Sequence, residues 1–158
     1  MKKIYKGIWF YGLSGSGKTY ASKVLNKKIG NSIIIDGDIV RKYISWNLGY
    51  SKPDREIQIK RVYGIGKIAI KSDIFPIIST VYFNNQLNLR CKKNKILVLK
   101  IVRENFEKII KRHKTYKNND NVVGKDIKLP KLKTYIIINN NKKNFILNNK
   151  IFKKTNII

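Results

Sequence analysis

A chain of 158 residues with 42% hydrophobic content can bury one core and is too short for two ordinary domains, so residues 1–158 are expected to form one unit. The formal charge of +26 would suit a phosphate polymer, but lysine, asparagine and isoleucine crowd the whole chain and form no single stripe interleaved with aromatics, so nucleic acid is not the expected partner. One cysteine, Cys91, excludes an internal disulfide and a thiolate metal cluster, and no run reaches the roughly 18 apolar residues of a membrane span, so the expectation is a cytoplasmic protein with no membrane partner.

Ile4 to Tyr11 reads as a buried strand, and Tyr20, Val24 and Leu25 at helical spacing predict a helix from Gly17 to about Ile29. Between them runs GLSGSGKT, Gly12 to Thr19. Glycines in such a loop let backbone N–H groups turn inward around an anion, at the amino end of a helix whose dipole also favours negative charge. Lys18 would neutralise the terminal phosphates and the Thr19 hydroxyl would ligate Mg²⁺. Gly12, Ser14, Gly15, Ser16, Gly17, Lys18 and Thr19 are therefore the expected ATP-binding set. A glycine turn that merely joins strand to helix is the competing reading.

Ser32 to Ile35 predicts a second strand ending at Asp36-Gly37-Asp38, and Ile39, Tyr43, Trp46 and Leu48 suggest a helix after it. Asp54 is the expected cap of a longer helix reaching Ile70, with Ile57, Arg61, Ile65 and Ile68 at recurring offsets. Ile74 to Val81 and Ile96 to Val102 are continuous apolar runs, the pattern of central parallel strands. Phe106, Ile109 and Ile110 mark another helix, a polar segment runs from His113 to Asn121, and Tyr135 to Ile138 is the last strand. Five strands with helices between them imply a doubly wound parallel α/β sheet of the P-loop NTPase type, with ligands at the carboxyl ends of the strands. After Asn139 the pattern decays, and a short covering helix and a weakly ordered tail over about 139–158 both stay open.

A carboxylate at the end of the second strand faces the phosphate loop across the switch of such a sheet, where it can position Mg²⁺ and accept a hydroxyl proton. Asp38 is the candidate for that role, and a helix-capping Asp38 is the competing, compatible reading. Arg41 and Arg55 could form planar forks on anionic oxygens of an acceptor; simple surface solvation is the alternative.

Asp36-Gly37-Asp38-Ile39-Val40-Arg41, Leu48-Gly49-Tyr50-Ser51, and Asp54-Arg55 followed by Gln58 and Lys60-Arg61 resemble the DGDxVR, LGFS and DRxxNIRR elements of the adenylylsulfate kinase family. WFYGLSGSGKT resembles that family's phosphate loop, and the likeness covers about residues 4–71 and returns at Asn121 to Ile127. The resemblance implies transfer of the γ-phosphate of ATP, with Mg²⁺, to the ribose 3′-hydroxyl of adenylylsulfate, a small-molecule nucleotide acceptor. It implies that Asp36 supports Asp38, that Tyr50 stacks on the acceptor base, that Gln58 stands for an asparagine, and that Arg112 opens a lid over about 113–124. His113 reads as a lid-surface residue, and Val122 falls where the family has a second stacking aromatic. A homodimer is left open. The closest rival is a 3′-kinase for a cytidine diphosphate-type nucleotide such as CDP-phosphoramidate in capsule biosynthesis. More distant rivals are a non-catalytic nucleotide sensor and a nucleic-acid-binding protein.

Overall fold

The computed structural model describes residues 4–111, 113–140, 145–146 and 150–155. Strand β1 (Gly7–Tyr11) is buried along its whole length, as a central strand covered on both faces must be. Its side chains alternate between two cores. Trp9 and Tyr11 point into one, where their ring centroids lie 5.1 and 5.0 Å from Phe83, and Ile8 and Phe10 point into the other.

Strands β2 (Ser32–Asp36), β3 (Phe75–Thr80), β4 (Ile96–Arg103) and β5 (Tyr135–Asn139) complete an all-parallel sheet in the order β2-β3-β1-β4-β5. The register places Ile8 beside Ile77 on one side and Leu97 on the other, and sets Asp36 beside Ser79. Helix α1 (Lys18–Asn26) lays Ala21 and Leu25 on one face of the sheet. Helices α3 (Lys52–Lys71) and α4 (Asn85–Lys93) lay Ile59, Val62, Leu87 and Cys91 on the other. β1 thus exits toward one face and its neighbour β3 toward the opposite face, which opens a crevice at their carboxyl ends. The short helix α2 (Gly37–Tyr43) borders that crevice, and α5 (Phe106–Ile110) and α6 (Lys114–Asn118) follow β4. Helix α7 (Lys150–Thr155) adds Ile151 and Phe152 to the α1 core, together with Phe145 and Ile146. Among the described residues no helix is long and apolar enough to cross a membrane.

Several boundaries differ from the expectation. β1 begins at Gly7, because Ile4 is exposed and because a Cβ at residue 7 would lie 2.8 Å from Pro76 Cγ on β3, an approach only glycine permits. α2 stops at Tyr43, and Tyr43 and Trp46 lie in solvent instead of continuing a buried stripe. α3 starts earlier than read and is capped by Ser51, whose Oγ accepts from the Asp54 N–H. The Asp54 carboxylate in turn accepts the Ser51 hydroxyl at 2.7 Å, side chain to side chain. α4 was not anticipated; Asn84 caps it by accepting from the Leu87 N–H at 2.9 Å. Cys91 lies in the core, where burial pushes its thiol up to about 12.

Candidate functional site

The loop after β1 turns on three left-handed glycines, Gly12, Gly15 and Gly17. Gly12 has φ +148°, and a Cβ there would strike the Ile101 carbonyl on β4. Gly17 has φ +102° and abuts the amide of Asn139, so neither position accepts a side chain. Gly17 also caps α1 without a side-chain hydrogen bond, so no side chain competes with a ligand for the first N–H groups of the helix.

Lys18 is 9% exposed and donates to the Leu13 carbonyl at 2.8 Å. Burial lowers its ammonium to about 8, against the opposing pull of Asp38 and Asp36. The Thr19 hydroxyl faces Asp36, donating to its carboxylate at 3.4 Å. Asp36 is also the cap of α2, accepting from the Asp38 N–H at 2.9 Å, and it takes the Ser79 hydroxyl at 3.0 Å. The capping role considered for Asp38 therefore belongs to Asp36. Among the described residues no hydrogen bond reaches the Asp38 carboxylate; its charge acts on Lys18 and on Arg55.

Across the crevice, Arg41 donates to the Gly49 carbonyl at 2.5 Å and sets its guanidinium 4.6 Å from the Tyr50 ring centre. Arg55 stands 5.4 Å from the same ring, donates to Tyr50 O at 3.0 Å and reaches Asn121 O at 2.9 Å. Burial, then the neighbouring Arg41, lowers the Arg55 guanidinium. Tyr50 itself is 55% exposed, a ring held between two cations with surface to spare. Gln58 donates to Gly37 O at 2.9 Å, and its Oε1 is buried with no partner among the described residues.

Ser14, Gly15, Lys18, Thr19, Asp36, Asp38, Arg41, Tyr50, Arg55 and Gln58 all border one cleft of about 210 Å³. It continues into a second space of about 510 Å³ between Tyr50, Arg55 and residues 119–123, where Val122 lies. Three expected residues fall elsewhere. Gly12 and Gly17 shape the loop from beneath. The Ser16 side chain turns away toward β4, with its hydroxyl buried and without a partner among the described residues. Arg112 lies outside the described residues.

Four contacts escaped the sequence reading. Arg103, at the end of β4, donates to Gly15 O at 3.1 Å. Asn139, at the end of β5, donates to Ser16 O at 2.9 Å. Tyr116 of α6 donates to Ser14 O at 3.2 Å. His113, read as a lid-surface residue, instead borders the cleft beside Gly15. The first two stand at the carboxyl ends of β4 and β5, on the edge where ligands bind in such a sheet, a placement that could have flagged them; nothing local in the sequence marks the others.

A family profile described as Adenylylsulphate kinase matches residues 5–109. The "Probable adenylyl-sulfate kinase" of Synechocystis sp. is 35% identical over 78 residues, which are 47% of this chain and 44% of that protein. The adenylyl-sulfate kinase of Bacteroides thetaiotaomicron is 37% identical over 84 residues, 51% of this chain and 42% of that protein. The matches thus span less than half the length of these curated relatives. Among solved structures, the Mycobacterium tuberculosis APS kinase CysC in complex with AMPPNP and APS superposes with a TM-score of 0.77 at 17% identity, over 89% of this chain and 91% of that one. That likeness is one of fold.

Proposed function

The chain belongs to the adenylylsulphate kinase family, and from that premise we propose that it transfers the γ-phosphate of ATP to the ribose 3′-hydroxyl of adenylylsulfate, giving 3′-phosphoadenylylsulfate. The observation that carries this reading is the one cleft in which Lys18 and Thr19 stand with Asp38, and with Arg41, Tyr50 and Arg55 on the far wall. One end is built for a triphosphate and the other for a flat, anionic second substrate. The comparisons favour adenylylsulfate over the cytidine nucleotide as that substrate.

Each residue's part follows from its placement. The loop amides and Lys18 hold the β- and γ-phosphates, and the Lys18 ammonium leaves Leu13 O for a stronger, charge-assisted partner when the anion arrives. Tyr50 stacks on the acceptor base while Arg41 and Arg55 offer forked donors to its phosphate and sulfate oxygens. That wall orients the 3′-hydroxyl at the γ-phosphorus, an entropic advantage paid when the acceptor binds. Asp38 takes the hydroxyl proton as the new oxygen–phosphorus bond forms and the bond from the γ-phosphorus to the β–γ bridging oxygen breaks, releasing ADP. Asp36, held by three donors, keeps α2 in place and so fixes Asp38. The oxygen donors Thr19 and Asp36 suit Mg²⁺, which takes few protein ligands beside the phosphates and would neutralise their developing charge. Residues 113–124 would lie over both substrates and exclude water.

The test is a product assay with ATP and a panel of adenylylsulfate, cytidine diphosphate-type nucleotides and plain nucleosides, read by mass spectrometry. A phosphorylated product from adenylylsulfate alone is the expected result. Phosphorylation of the cytidine nucleotide instead would replace the acceptor, and ATP binding with no phosphorylated product would replace the activity.

A further inference from the structure

We propose that His113, through its Nε2–H, directly contacts the terminal phosphates of the bound triphosphate; the role rests on the ATP-dependent reading above. His113 is the chain's one histidine, and it caps α6. Its Nδ1 accepts from the Thr115 N–H at 3.4 Å, so in the neutral ring Nε2 carries the proton and is the free donor. The ring packs edge-on against Tyr116, with centroids 5.8 Å apart at 65°, and Tyr116 is itself tied to the phosphate loop through Ser14 O. The imidazole is thereby fixed over the loop. A Cβ built on Gly15 would lie 3.3 Å from His113 Cδ2 and 3.7 Å from Nε2, so the donor edge of the ring rests on the loop's central glycine. The same ring borders the cleft beside Lys18 and Thr19, the residues placed to meet the terminal phosphates.

The charged groups around that cleft are Lys18 from α1, Asp36 and Asp38 at the start of α2, Arg41 and Arg55, with Arg103 of β4 bound to the Gly15 carbonyl. Lys114 is the neighbouring charge on α6. A multiply charged anion arriving among these groups meets the Nε2–H as a further donor, while Nδ1 keeps the Thr115 N–H.

The test measures the affinities of MgATP and of AMP by titration calorimetry, without acceptor, for the full chain, His113→Asn and His113→Ala. Asparagine keeps an acceptor for the Thr115 N–H, and so the cap of α6, but is too short to reach past Gly15. His113→Asn should weaken MgATP binding about 10-fold, the scale of one hydrogen bond to a charged group, and leave AMP, which lacks the terminal phosphates, within about 2-fold. His113→Ala should show the same loss for MgATP, with any loss of the cap added equally for both nucleotides. Unchanged MgATP affinity in His113→Asn, or an equal loss for MgATP and AMP, would overturn the phosphate contact. Wild-type protein that binds no ATP would overturn both this assignment and the kinase reading, whereas wild-type binding that His113→Asn leaves unchanged removes His113 alone.

Discussion

Lys18 enters the cleft as a buried ammonium lowered to about 8, bonded only to a backbone carbonyl until a ligand arrives. Its folded value lies below the ordinary lysine value, so in the free protein the charge is present below about pH 8 and is lost as pH rises through it. A triphosphate binds the charged form, and above that point binding must recruit a proton. ATP affinity should therefore hold below about pH 8 and weaken toward about tenfold per pH unit above it, as equilibrium binding would show; constant affinity to pH 9.5 would contradict this. On the opposite wall, Arg55→Ala should raise the acceptor KM by about 10- to 100-fold and leave the KM for ATP within about 2-fold, on the scale of a lost charged hydrogen-bond fork. Steady-state kinetics with each substrate varied in turn would reveal a misplaced acceptor pocket as a rise in the ATP constant instead. The phosphate-loop residues were legible in the sequence because their demands are local: glycines at fixed offsets, then a lysine and a hydroxyl. Arg103 and Asn139 were not, since their partners Gly15 and Ser16 lie 88 and 123 positions away in the chain.

At the scale of elements, the apolar runs predicted all five strands: β1, β3 and β4 are largely buried on both faces and so apolar almost throughout, whereas the edge strands β2 and β5 keep apolar runs although Ile33, Tyr135, Ile136 and Ile138 are exposed. α4 escaped because Leu87 and Cys91 are its only buried apolar side chains, too few to set a period, and Leu89 is exposed. The start of α3 was misplaced for a related reason: serine and aspartate three residues apart are both good caps, and only the backbone reveals which one stands outside the helix. Since Ser51 is the one, Ser51→Ala removes an acceptor for the Asp54 N–H and should cost about 1 kcal/mol. In a chain of this size that lowers Tm by about 2–4 °C in thermal denaturation. An unchanged midpoint would show that water satisfies the helix end equally well.

Across the whole molecule, 35 lysines and arginines against 9 acidic residues set a field that acts on any anion approaching the cleft. Both proposed substrates are anions, so kcat/KM for each should fall by about tenfold or more as salt rises from low to well above physiological strength, within the range known for electrostatic steering. A profile unaffected by salt would confine the electrostatics to the residues lining the cleft. Composition alone could not separate this role from nucleic-acid binding. The folded chain gathers Lys18, Arg41 and Arg55, from α1, α2 and α3, around one crevice with Asp36 and Asp38 among them.

The most direct test of the account concerns Asp38, the carboxylate that shares the cleft with the phosphate loop. Single-turnover transfer from ATP to adenylylsulfate, measured alongside ATP affinity for wild type and Asp38→Asn, separates chemistry from binding. The account predicts transfer slowed by about 10²- to 10⁴-fold, the usual worth of a positioned general base, with ATP affinity within about 3-fold of wild type. Transfer at the wild-type rate would contradict it, because the hydroxyl proton would then be leaving by another route.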